Sequence, residues 1–153
     1  MRRLALLIAL AGLAAAAQAT AAEDGAAVYK RCAACHLADG AGVPGAFPPL
    51  KADVRALAAN AAGRRYLALV VIRGVSGPIT VEGKPYRGTM PAQSALNDAQ
   101  VAAVLNHVVR GGSAKAFTPQ EIAGYRAGGA ALNAAAVARL QPQAQGAGKG
   151  SGK

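Results

Sequence analysis

The sequence predicts an all-α domain interrupted by one small hairpin. Apolar residues recur at helical spacing in Tyr66, Leu67, Val70 and Val71, and again in Val101, Val104, Leu105 and Val108. Helix-start patterns stand at Asn97 with Gln100 and at Thr118-Pro119-Gln120-Glu121. Strand-like alternation is confined to ITVEGKPY, residues 79–86, around the turn pair Glu82-Gly83.

The 153 residues suffice for one ordinary domain. The first of them, MRRLALLIALAGLAAAAQATAA, join a basic head (Arg2, Arg3) to an apolar run from Leu4 to Ala17 and a small-residue exit. That is the anatomy of a cleaved secretory signal over residues 1–22, and the run is short for a membrane span of about 20 residues. No cysteine lies near the exit, which excludes a lipid anchor. The mature chain is expected outside the cytoplasm, in a bacterial periplasm, and at most peripheral to a membrane.

Asp24 can cap a first helix over 25–35. Residues 39–50, DGAGVPGAFPPL, are dense in turn formers and read as a loop. Asp53 can cap a short helix running to Ala59. The next helix, 64–73, stops at Gly74; after the hairpin, the Asn97 capping box opens a helix over 98–110 that ends at Gly111-Gly112. A last helix starts at Thr118 and fades at Gly128-Gly129, followed by an alanine-rich segment. From Gln141 the tail QPQAQGAGKGSGK reads as flexible low-complexity chain.

Lys and Arg number 17 against 7 acidic residues, a net charge of +10. Removal of Arg2 and Arg3 with the signal leaves +8. Such a surplus favours acidic partners. The basic residues are scattered and the chain carries an export signal, so nucleic acid is not the expected ligand. With four Tyr, two Phe and no Trp, the domain has few large rings to fill its centre, which hints at a large apolar cofactor.

KRCAACHLADG, residues 30–40, carries the chemistry. A disulfide oxidoreductase would place its Cys pair at a helix start after a strand, and no strand precedes Cys32. A structural disulfide has no use for His36. Zinc needs four ligands, and adjacent Cys35 and His36 project in different directions on a helix. Haem attachment uses every feature: Cys32 and Cys35 can each bond a vinyl group, and His36 can reach the iron.

For the iron's other face, Met90 in RGTMPAQS is the only methionine outside the leader. It lies in a loop, between Gly88 and Pro91, rather than on an apolar stripe. His107 is the competitor, but it stands on a rigid helix that cannot reach over the ring as a loop can. Methionine ligation gives a higher potential than a second histidine.

These residues resemble a class I, single-haem cytochrome c. The likeness runs from Gly25 to Arg110 through Gly25 and Tyr29, CAACH, FPPL, YRGTMP and LNDAQVAAVLNHVVR. The stretch GPITVEGKPYRGTMPAQSALNDAQVAAVLNHVVRG and the following TPQEIAGYRA resemble bacterial cytochrome c domains that serve periplasmic dehydrogenases and oxidases. The resemblance implies the cytochrome c fold: helices around one covalently bound haem c, over 23–112, with a helical extension over 113–140 and a tail over 141–153. It implies Cys32 and Cys35 as thioether sites, His36 and Met90 as axial ligands, and Pro48, ahead of Pro44, as acceptor of the proximal imidazole N–H. Phe47, Leu50, Leu67 and Val71 would surround the ring, and Lys30, Arg31, Lys84 and Arg87 would face an acidic redox partner. The implied function is electron transfer, as a shuttle or a dehydrogenase's cytochrome subunit, with no catalytic residues. The rival is a haem enzyme or gas sensor with an open sixth position. Two positions depart from the family pattern: Leu37 where glycine often follows the histidine, and His107 where an aromatic ring packs between the terminal helices. The second would make that contact pH-sensitive.

Overall fold

The computed structural model describes residues 23–141; the expected leader and the tail beyond Gln141 lie outside them. Among the described residues, seven helices and two small antiparallel strand pairs surround one core. Helix α1 (Gly25–Tyr29) starts where the Asp24 side chain accepts from the Ala26 N–H. The expected helix over 25–35 does not run unbroken. Cys32 N–H bonds back only three residues, to Tyr29, and that tightened turn separates α1 from α2 (Ala33–His36).

Helix α3 (Ala52–Ala58) forms as expected, but Asp53 does not cap it. The acceptor at its start is Glu82 Oε1, which takes the Ala52 N–H, while Asp53 Oδ2 accepts the Glu82 N–H. Helix and hairpin thus cap each other. Helix α4 (Ala61–Arg73) begins three residues before the expected start, because Asn60 accepts from Gly63. It ends at Gly74, where φ is +75° and a side chain would stand 2.5 Å from the Met90 carbonyl oxygen.

Strand β1 (Val75–Ser76) pairs with β4 (Thr89–Met90), setting Val75 opposite Met90. Between them lies the expected hairpin, β2 (Ile79–Val81) with β3 (Lys84–Tyr86). Glu82 and Gly83 both take positive φ at its turn, +48° and +74°, as a tight two-residue connection requires.

Helix α5 (Asp98–Val109) carries the full capping box between Asn97 and Gln100. It crosses α1 so closely that a Cβ on Gly25 would collide with the Ala103 carbonyl oxygen. Thr118 caps α6 (Pro119–Gly128), and Asn133 caps α7 (Ala134–Ala138) inside the alanine-rich stretch. Ile122 and Val137 from these last helices are fully buried, as are Leu69, Ile72 and Val101. Each such side chain stabilises by about 1.5–3 kcal/mol, so the C-terminal segment shares the core rather than decorating it. Gln141, expected in the flexible tail, is 5% exposed and belongs to the folded body because Thr80 binds its side-chain amide.

Candidate functional site

Helix α2 is one turn long, and its last residue is His36, 7% exposed. Its Nδ1 lies 2.9 Å from the Pro48 carbonyl oxygen, twelve residues downstream in the loop. Nδ1–H therefore donates to Pro48, which orients the ring and leaves Nε2 for a ligand. Pro44 stands exposed in the turn that Val43 and Phe47 close, and takes no part in this bond. Burial pulls the imidazole's pKa below its ordinary value, against the Pro48 bond, which favours the neutral form that binds metals.

Cys35, His36, Pro48 and Met90 line one open cavity. Its walls are mostly apolar: Phe47, Leu50, Leu67 and Val70 come from the loop and α4, Val81 and Tyr86 from the hairpin. The expected Val71 is not among them; it packs toward the core, and its helical neighbour Val70 faces the cavity. Cys32 does not line the cavity either. It sits half-buried at the start of α2, where its carbonyl accepts the His36 N–H. No disulfide joins Cys32 to Cys35, and burial raises the Cys32 thiol above its ordinary pKa.

Met90 reaches the cavity through its pairing with Val75, which fixes β4 beside the end of α4. His107 does not reach it. Its ring packs on Tyr29, centroids 5.1 Å apart, at the α1–α5 crossing. Polar residues not foreseen at the site, Asp53, Tyr66, Thr89 and Gln141 among them, line the same cavity. Tyr66 was readable only as a member of an apolar stripe, and its phenol is pushed well above its ordinary pKa by burial.

Among the described residues, no three His, Cys, Asp or Glu side chains converge as a metal cluster, so the zinc alternative has no site. The cavity instead suits a large apolar group that brings its own metal. One imidazole, one thioether and the Cys35 thiol on the wall, with Cys32 one helical turn before it, are the handles such a group needs. The residues fit a haem.

A family model for cytochrome c matches residues 22–111. The chain is also similar to a cytochrome c-552 of Thermus thermophilus, 42% identical over 134 residues, which span 83% of this chain and 88% of that protein. A second cytochrome c-552 of the same species is 44% identical over 111 residues, 68% of this chain and 85% of its own length.

Proposed function

The chain belongs to the cytochrome c family, and from that premise we propose that it works in the periplasm as a single-haem electron carrier, free or as the cytochrome subunit of a dehydrogenase. Membership implies one covalently bound haem c, and electron transfer is the chemistry of the family. Bound haem supplies a one-electron iron couple. This chain's residues would hold it by thioethers from Cys32 and Cys35, with His36 Nε2 and the Met90 sulfur as ligands to its iron. The observation that carries the reading is the cavity that Pro48-anchored His36 and Met90 share. The Pro48 carbonyl keeps the imidazole oriented and more basic, while the apolar walls exclude water and favour the less charged, reduced state. With His36 and Met90 both held by the fold, the bound group would change charge with little rearrangement of the chain.

Mass spectrometry of the exported protein should find the mass of the chain from about Glu23 plus one haem, with both thiols consumed. A Met90→Ala variant should lose the weak long-wavelength band of methionine-ligated ferric haem and gain carbon monoxide binding in the reduced state. Wild-type protein that already binds carbon monoxide freely and lacks the band would replace the carrier with an open-site haem enzyme or gas sensor. Support for export is the signal-like leader; the described helices include none long and apolar enough to cross a membrane.

Lys30 and Arg31 precede Cys32, Lys84 and Arg87 precede Met90, and all four are exposed. We propose this basic border as the docking face for an acidic redox protein. Stopped-flow transfer to such a partner should slow as salt rises, and should lose that dependence when the four are replaced by Gln. A rate indifferent to salt in the wild type would remove the basic border from the account.

A further inference from the structure

The cavity that His36 and Met90 share is apolar over most of its wall, yet several polar side chains also line it. Most of them are already engaged. Asp53 Oδ2 accepts the Glu82 N–H, Thr89 Oγ1 lies 2.9 Å from Ser76 Oγ, and both ends of the Gln141 amide bond Thr80. Two tyrosines differ. Tyr66 on α4 and Tyr86 on β3 are each 4% exposed and line the cavity, and neither hydroxyl has a hydrogen-bond partner among the described residues.

These hydroxyls are not sealed in. Among the described residues, Arg73 Nε is the side-chain polar atom enclosed without a partner. The two phenol oxygens therefore reach open space, and with both rings so deeply buried that space is the cavity. A buried hydroxyl left unpaired is unfavourable, so the group that fills the cavity is expected to supply the acceptor.

A haem is an apolar ring that carries two carboxylates on its rim. Burying such charge is costly unless hydrogen bonds replace the lost water, and bonds to an ionised acceptor are the strong ones. Asp53 cannot provide them, because an ionised carboxylate only accepts. Position also separates Tyr66 from the Met90 sulfur. Tyr66 stands eight residues before Gly74, whose Cα lies close against the Met90 carbonyl. That is about 12 Å along the helix, and helical side chains lean further toward the N-terminus.

We propose that Tyr66 and Tyr86 are haem-binding residues: their hydroxyls donate to the two carboxylates, one to each, and stabilise that charge inside a mostly apolar cavity. The inference rests on the haem reading above.

Resonance Raman spectroscopy of the mature haem protein tests it, through the low-frequency bending band of the carboxylate arms, which falls when a hydrogen bond to them is lost. Tyr66→Phe and Tyr86→Phe keep each ring and delete one oxygen. Each should lower that band and leave the long-wavelength methionine band unchanged, and the double variant should lower it further. Tyr125→Phe is the comparison: the Tyr125 hydroxyl donates to Glu121 at 2.9 Å, and Tyr125 lines no part of the cavity. It should lower the folding equilibrium constant about tenfold, the scale of a bond to a charged group, without moving the carboxylate band. An unmoved band in Tyr66→Phe or in Tyr86→Phe would overturn the assignment. So would an equal fall in Tyr125→Phe, or loss of the methionine band with the carboxylate band in place, which would hand the hydroxyl to Met90. Exported protein whose mass shows no haem would instead remove the cofactor reading, and the inference with it.

Discussion

The Tyr29 hydroxyl donates a 2.8 Å hydrogen bond to the carbonyl of Leu37, and Leu37 is held at φ +63°, ψ +163°. Backbone of that kind is close to glycine's preserve and costs another residue about 1–3 kcal/mol. Leu37 is 41% exposed, so its side chain returns little. The strain sits directly after His36, where the chain must leave α2 sharply to let the loop bring Pro48 back to the imidazole.

Leu37→Gly is expected to stabilise the protein by about 1 kcal/mol, the relieved strain exceeding glycine's extra freedom when unfolded. Denaturant midpoints of the two haem proteins measure it. A midpoint that falls would mean that Leu37 carries no strain.

His107 makes the α1–α5 crossing respond to pH. Burial lowers its pKa and Arg110 lowers it further, while Asp24 works the other way. Arg110 places a guanidinium nitrogen 2.8 Å and 2.6 Å from the two ring nitrogens, and Arg55 donates to the Arg110 carbonyl, so the neighbourhood is cationic. Tyr29 packs on the ring from α1. Because the folded value lies below the unfolded one, the unfolded chain binds more protons in the window beneath about 6.5. Stability from this site is complete above that window and declines as pH falls through it. His107→Phe should flatten the fall of unfolding midpoint between about pH 7 and 5; an unchanged slope would place the effect elsewhere.

Gly25→Ala should be costly. The new methyl would meet the Ala103 carbonyl oxygen, a backbone atom that cannot rotate aside. Overpacking of this kind costs about 1–3 kcal/mol, and the thermal midpoint should drop accordingly. A silent substitution would show that the two helices separate easily.

Arg64 joins α4 to the C-terminal segment. Two 2.6 Å bonds reach Glu121, others reach the carbonyls of Ala58, Lys115 and Ala116, and the guanidinium lies 3.8 Å from the Phe117 ring centroid. With the Arg64 and Glu121 side chains 12% and 24% exposed, solvent screens the pair little. Lysine keeps the charge but loses the fork, so Arg64→Lys should destabilise by about 2 kcal/mol in equilibrium unfolding. Loss of less than a few tenths would mark the pair as an ordinary surface contact.

What was legible in the sequence was local. The Asn97 box, the Thr118 start and the Glu82-Gly83 turn are satisfied within four residues, and the structure holds each where it was expected. Asn60 and Asn133 were obscured because alanines follow them and no acidic or amide side chain answers at the third helical position. Asp53 was misread for another reason: its partner, Glu82, is supplied 29 residues later by the hairpin. Val70 and Val71 are neighbours on one stripe, and only tertiary packing decides which faces the cavity. Gln141 stood in tail-like composition, and its purpose depends on Thr80, 61 residues away. At the site, CAACH and Met90 were visible as residue types. That Cys35, His36, Pro48 and Met90 meet at one cavity depends on strand pairing between Val75 and Met90, which two-residue strands do not announce.

The crossing of Gly25 with Ala103 also ties the first helix to the fifth. Cys32 and Cys35 follow α1 directly, so the seat of the thiol pair depends on a contact made far along the chain.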